Sequence, residues 1–106
     1  MARLKAPAYL TAATRRWWEQ TAERFGVEQP HLKLLTLAAT AWDEHEKARK
    51  ILARDGFTFE DRWGLPRSRP EIAIARDGRA TFARLMKQLN LADEPGPDLS
   101  YKEPTE

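Results

Sequence analysis

Arginine is the residue type in this chain whose number and spacing could do chemistry. Between Arg62 and Lys87 stand seven basic residues, Arg62, Arg67, Arg69, Arg76, Arg79, Arg84 and Lys87, against Glu71 and Asp77. Six of the seven are arginine, whose planar fork grips phosphate oxygens two at a time. A smaller basic group is Arg3, Lys5, Arg15 and Arg16. The chemistry such groups offer is contact with a nucleic-acid backbone, independent of sequence and steeply weakened by salt. Charge runs also cover ordinary solvated helix faces, so both readings stand for any single arginine.

Other reactive residue types form no recognisable site. His31 and His45 stand far apart on one predicted helix, without a second cluster of metal ligands. Asp43, Glu44 and Glu46 are the acids closest to a two-metal nuclease set, which needs converging carboxylates. Asp43 with Lys47 and Glu46 with Lys50 are i,i+4 ion pairs in the favourable order, which assigns this stretch to a solvated charged face. The glycines are isolated at positions 26, 56, 64, 78 and 96, so no phosphate-cradling loop exists. The only serines are Ser68 and Ser100, neither near a histidine in sequence, and there is no cysteine. The expectation is a protein without catalytic site, metal or cofactor.

A length of 106 residues fits one domain with a modest core, a size at which packing against further copies adds stability. No apolar run approaches the roughly 20 residues of a membrane helix. The opening MARLKAPAYL lacks the apolar stretch of a secretion signal, so a soluble cytoplasmic protein is the economical reading. Residues 1–90 carry 17 Lys and Arg against 11 Asp and Glu, net +6, whereas residues 91–106 carry one lysine against five acids, net −4. The acidic tail either docks on a partner or only aids solubility.

The elements that must position the arginines follow from periodicity. Residues 1–10 read as a flexible basic arm and 11–90 as the helical domain. Thr11 is the expected N-cap of a first helix ending near Phe25, with Gly26 as its stop. Ala13, Trp17, Thr21 and Phe25 recur every four residues, and Trp18 and Ala22 widen that stripe into its core side. A second, long helix should run from about Pro30 to Asp55 before Gly56, with Leu35, Ala38, Trp42, His45, Ala48 and Leu52 in a 3–4 rhythm. Leu32, Leu34 and Leu37 make its first half apolar nearly all round, which calls for a neighbour, the first helix or another copy.

Phe57 and Phe59 then alternate with Thr58 and Glu60, and Asp61-Arg62-Trp63-Gly64 has the ends of a type I turn, predicting a short hairpin. Such a hairpin is unstable alone, so Trp63 and both phenylalanines should dock on the helices. A third helix is expected from about Pro70 to Leu89, with Gly78 on its apolar stripe to permit close approach by another helix. Residues 91–106, broken by three prolines, read as a disordered acidic tail. The fold class is therefore mainly α: three helices with a long central one, a β-hairpin before the third, and a disordered tail.

With these elements placed, Ala48, Ile51 and Leu52, then Gly56, the hairpin residues Thr58, Asp61, Arg62 and Gly64, then Pro70, Arg76, Asp77 and Phe82, together with Trp17 and Trp18, form one ordered pattern. Over roughly residues 8–94 that pattern resembles phage terminase small subunits. The chain departs from the pattern at Arg69, where members carry histidine, and at Asn90, where they carry glycine; asparagine tolerates the same left-handed cap. The resemblance implies a non-enzymatic, ring-forming homo-oligomer in the cytoplasm of an infected bacterial host. Its partners would be viral double-stranded DNA, the large terminase subunit that holds ATPase and nuclease, and the portal.

The DNA contacts would then fall to Arg62, Arg67, Arg69, Arg76, Arg79, Arg84 and Lys87, with Arg15 and Arg16. The copy-to-copy interface would fall to Leu32, Leu34, Leu35, Leu37, Trp42 and Gly78. Two other readings compete. One is a DNA-binding regulator using the first two helices as a helix-turn-helix; the other is a protein-interaction module whose arginines never meet DNA.

Overall fold

The computed structural model describes residues 4–97. Three helices, α1 (Ala12–Arg24), α2 (His31–Asp55) and α3 (Glu71–Gln88), enclose one core, and an antiparallel hairpin, β1 (Thr58–Glu60) with β2 (Pro66–Ser68), lies between α2 and α3. The fold is mainly helical, as the periodicity predicts. The local signals act as expected. Thr11 caps α1, its hydroxyl accepting from the Thr14 N–H at 3.4 Å. Gly26 (φ 56°) and Asn90 (φ 61°) end α1 and α3 in the left-handed region. At each end the following residue closes a 6→1 bond, Val27 N–H to Ala22 O at 3.0 Å and Leu91 N–H to Met86 O at 2.8 Å. Asparagine does at the end of α3 what glycine does at the end of α1.

The long central helix spans about 37 Å at ~1.5 Å per residue. It packs α1 on one side and α3 on another. Leu35, Ala38 and Ala39 of α2 are fully buried, with Trp17, Trp18 and Ala22 of α1 and Leu85 and Met86 of α3. A smaller cluster, Ala48, Leu52 and Ala75, joins α2 to α3 nearer the hairpin. The Phe82 ring sits between Trp17 and Trp42, with centroids 5.7 and 4.9 Å away. His45 donates through Nδ1–H to the Ala75 carbonyl at 2.8 Å, so this polar member of the apolar stripe is satisfied.

Five sequence expectations change. The arm is not free over its described part. Leu10 is buried in the core, the Ala6 N–H donates to Glu19 Oε2 at 3.0 Å, and the Tyr9 hydroxyl lies 3.0 Å from that of Thr40. Residues 1–3, with Arg3, lie outside the described residues. The first part of the tail is also held. Leu91 is buried, Trp17 Nε1 donates to the Pro95 carbonyl at 3.1 Å, and Arg24 pairs with Glu94 at 3.6 Å. Proline and acid content hide this because the anchor is one leucine and backbone carbonyls, neither of which has a period. The rest of the tail, 98–106, lies outside the described residues.

The third change concerns the acids. Asp43 is not on a solvated face but 7% exposed, and no ion pair joins it to Lys47 among the described residues. Its carboxylate accepts from the Thr11 N–H at 2.8 Å and from the Thr14 hydroxyl, with the Thr11 hydroxyl 3.1 Å away. Glu46, one turn on, is buried as well. The reason is tertiary: the N-terminus of α1 sits on this side of α2, and hydroxyls and amides replace water around the carboxylate. The fourth change is the hairpin, which does not dock: Phe57, Phe59 and Trp63 are 63%, 39% and 68% exposed.

The fifth concerns the expected copy-to-copy surface. Leu35 is fully buried within the chain, Leu32 and Leu34 pack at the edge of the core, and Trp42 lies against Phe82 and His45. Gly78 faces α2 of the same chain. A Cβ there would stand 2.8 Å from the Ala41 carbonyl oxygen and 3.2 Å from the His45 nitrogen. Most of the apolar surface of α2 is thus used by α1 and α3. Of the six residues only Leu37 is exposed.

Candidate nucleic-acid interface

The hairpin and the outward side of α3 hold the basic cluster, and the structure divides its members by what they already touch. Asp61 organises the hairpin turn. Its backbone carbonyl accepts from the Gly64 N–H at 2.9 Å, and its Oδ1 accepts from the Trp63 and Leu65 N–H groups at 2.9 and 3.0 Å. Gly64, at φ 76°, takes the left-handed place that a type I turn with a bulge requires. Arg67 donates through Nε to Asp61 Oδ2 at 2.9 Å, so it ties the turn to β2.

The Arg67 guanidinium holds the Asp61 carboxyl below the usual carboxylate range, and the Leu65 and Trp63 N–H groups add to that against a desolvation that opposes it. A depressed acid contributes order above its unfolded pKa, about 3.9, and loses it as pH falls through the lower folded value. The Leu65 amide should therefore stay protected from exchange between about pH 5 and pH 8 and lose protection below about pH 4. Amide exchange followed by NMR checks this; protection unchanged by Asp61→Ala would remove Asp61 from the role.

Arg69 is also committed to structure. Its Nη2 donates to the Asp55 carbonyl at 3.3 Å, its guanidinium lies 5.8 Å from the Phe59 ring centre, and its Nε is buried without an acceptor among the described residues. Arg62 stacks over the neighbouring Trp63 ring at 4.5 Å, with both side chains exposed. The hairpin arginines thus stiffen an aromatic tip more than they present a row of charge.

On α3 the positions differ. Ala75, Gly78, Leu85 and Met86 are buried, while Arg76, Arg79, Arg84 and Lys87 are exposed. At about 100° per residue, Arg76, Arg84 and Lys87 fall on the side opposite the core stripe, with Arg79 flanking them. Arg76 pairs with Asp77 at 3.2 Å, an exposed pair that water screens heavily. Arg79, Arg84 and Lys87 have no ion-pair partner among the described residues. Arg15 and Arg16 are exposed on α1, and no interaction among the described residues links them to the α3 group.

The structure therefore brings together four of the nine expected phosphate contacts on one helix face. Sequence reasoning missed a neighbouring feature. Beside Arg84 runs a groove of about 540 Å³ between α2 and α3, lined by Leu37, Glu44, Ile74, Asp77 and Leu85. Ile74 is 44% exposed although it is apolar, and its place off the Ala75–Gly78–Leu85 stripe was the signal available for it.

No group of three or more His, Cys, Asp or Glu side chains among the described residues could hold a metal ion. No helix among them is long and apolar enough to cross a membrane. Comparison with protein-family models, with curated proteins and with solved structures finds no match to this chain.

Proposed function

We propose that this chain is a non-catalytic DNA-packaging adaptor of the terminase small-subunit kind. It assembles with copies of itself, holds viral duplex DNA through the outward face of α3, and presents it to a large terminase subunit in the host cytoplasm. The observation that carries the reading is the exposed Arg76, Arg79, Arg84 and Lys87 face, set on a rigid helix whose opposite side is locked to α2. Four phosphate contacts per copy bind weakly, and repetition around a closed assembly raises avidity without new contacts. The sequence resemblance over residues 8–94 supplies the packaging context.

The helix-turn-helix alternative is less well supported. A recognition helix needs a free face, and the first half of α2 is enclosed by α1 and α3 with Leu35, Ala38 and Ala39 fully buried. Duplex DNA titration at two salt concentrations, with light scattering on the same samples, tests the proposal. We expect a mass above dimer and binding that weakens steeply with salt. The triple charge reversal Arg76→Glu, Arg84→Glu and Lys87→Glu should weaken binding to unrelated duplexes alike and reduce the salt slope by about 2–3. A clean monomer, or affinity untouched by the reversal, sinks the proposal.

A further inference from the structure

Among the apolar surfaces that the described residues leave uncovered, two are complementary in shape. One is convex: the hairpin tip, with Trp63 68% and Leu65 53% exposed. The other is concave: the α2–α3 groove, with Leu37 56% and Ile74 44% exposed over Leu85 at its floor. A monomer gains nothing from showing either to water. The hairpin is also held in one shape before any contact, by Asp61, Gly64 and Arg67, so docking it costs little further order.

We propose that the hairpin of one copy docks, Trp63 foremost, in the α2–α3 groove of a second copy. Charge favours this pairing. The hairpin carries Arg62, Arg67 and Arg69 against Glu60 and Asp61, net +1, and the groove lip offers the Glu44 carboxylate, whereas Asp77 there is already paired with Arg76 at 3.2 Å. Arg62 lies on the Trp63 ring, so an indole entering the groove brings a guanidinium to the lip where Glu44 has no ion-pair partner among the described residues. A groove of about 540 Å³ accommodates the indole.

In the structure the hairpin lies off its own groove, whose lining comes from α2 and α3 and includes no hairpin residue. The contact therefore joins copies, and because its two patches differ it is head-to-tail, the kind that closes into a ring or grows as an open chain. The inference rests on the self-assembly proposed above and names the surfaces that would make it.

The absence of cysteine makes the test direct. Full-length Leu65→Cys and Thr81→Cys variants place one thiol at the hairpin and one in the groove, leaving Trp63, Arg62, Leu37 and Glu44 intact. Each is treated with a short bismaleimide crosslinker, alone and mixed, with helical content checked by circular dichroism. The expected result is covalent dimer in the mixture well above either variant alone, reduced at least about tenfold when the Leu65→Cys partner also carries Trp63→Ala. Trp63 is exposed in the chain, so its loss leaves the fold intact. Crosslinking by Leu65→Cys alone equal to the mixture means hairpin pairs with hairpin and overturns the proposal. Light scattering keeps the two ideas apart: a mass above monomer without mixed crosslinks removes only the hairpin–groove contact, while a monomer removes self-assembly too.

Discussion

Replacing Asp43 with alanine should lower the stability of the folded chain by about 3 kcal/mol, a drop in Tm of roughly 12–24 °C for a domain of this size. The carboxylate is buried and collects the Thr11 N–H and the Thr14 hydroxyl, with the Thr11 hydroxyl beside it. Alanine would leave an amide and at least one hydroxyl without a partner, and hydrogen bonds to a charged acceptor are worth about 1.5–3 kcal/mol each. It would also release the cap of α1, because Thr11 holds its capping position through this carboxylate. Asp43→Asn keeps the shape and one acceptor, so it should cost about half as much. Thermal unfolding at fixed protein concentration measures both. An Asp43→Ala variant that melts within about 3 °C of the parent would show that α1 is held by its tryptophans alone.

Gly78→Leu is expected to cost about 3 kcal/mol or more, because side-chain volume must enter where two helix backbones touch. Even the first carbon of a side chain would stand 2.8 Å from the Ala41 carbonyl and 3.2 Å from the His45 nitrogen, both backbone atoms that cannot swing aside. Gly78→Ala gives the opposing effects a sign. In an exposed helix interior the change gains about 1 kcal/mol from propensity. Here the separation of α2 from α3 should outweigh that gain, with a net loss of about 1 kcal/mol. Urea unfolding decides the matter, and stabilisation by Gly78→Ala would mean that α2 and α3 are not in close contact at this residue.

Each site claim has a different legibility. Gly78 was readable as a point of close approach because it breaks helix propensity on an apolar stripe; which helix approaches was not. Asp43 was misread for a physical reason. An aspartate four residues before a lysine has the same local pattern whether water or another helix faces it, and only the arrival of Thr11 and Thr14 decides. Leu32, Leu34 and Leu37 show that α2 needs neighbours on several sides, but not that its own α1 and α3 cover the first two and leave Leu37 exposed. The arginines were legible as a group and not as individuals. Arg67 and Arg69 are engaged by Asp61 and the Asp55 carbonyl, contacts that span a turn or a helix end and leave no mark in a charge count.

What the sequence determined by itself is what short-range physics controls: three helices, their caps at Thr11, Gly26 and Asn90, and the turn at Asp61–Gly64. Backbone hydrogen bonding and left-handed dihedrals depend on a few adjacent residues, so local spacing is enough. Tertiary structure decided which surfaces are used and which are spare. It buried Asp43 and Gly78, anchored the segments before Thr11 and after Asn90, and left Trp63, Leu37 and Ile74 uncovered. Burial depends on residues far apart in the chain meeting in space, and the basic side chains of α3 face outward because its opposite side is fixed against α2.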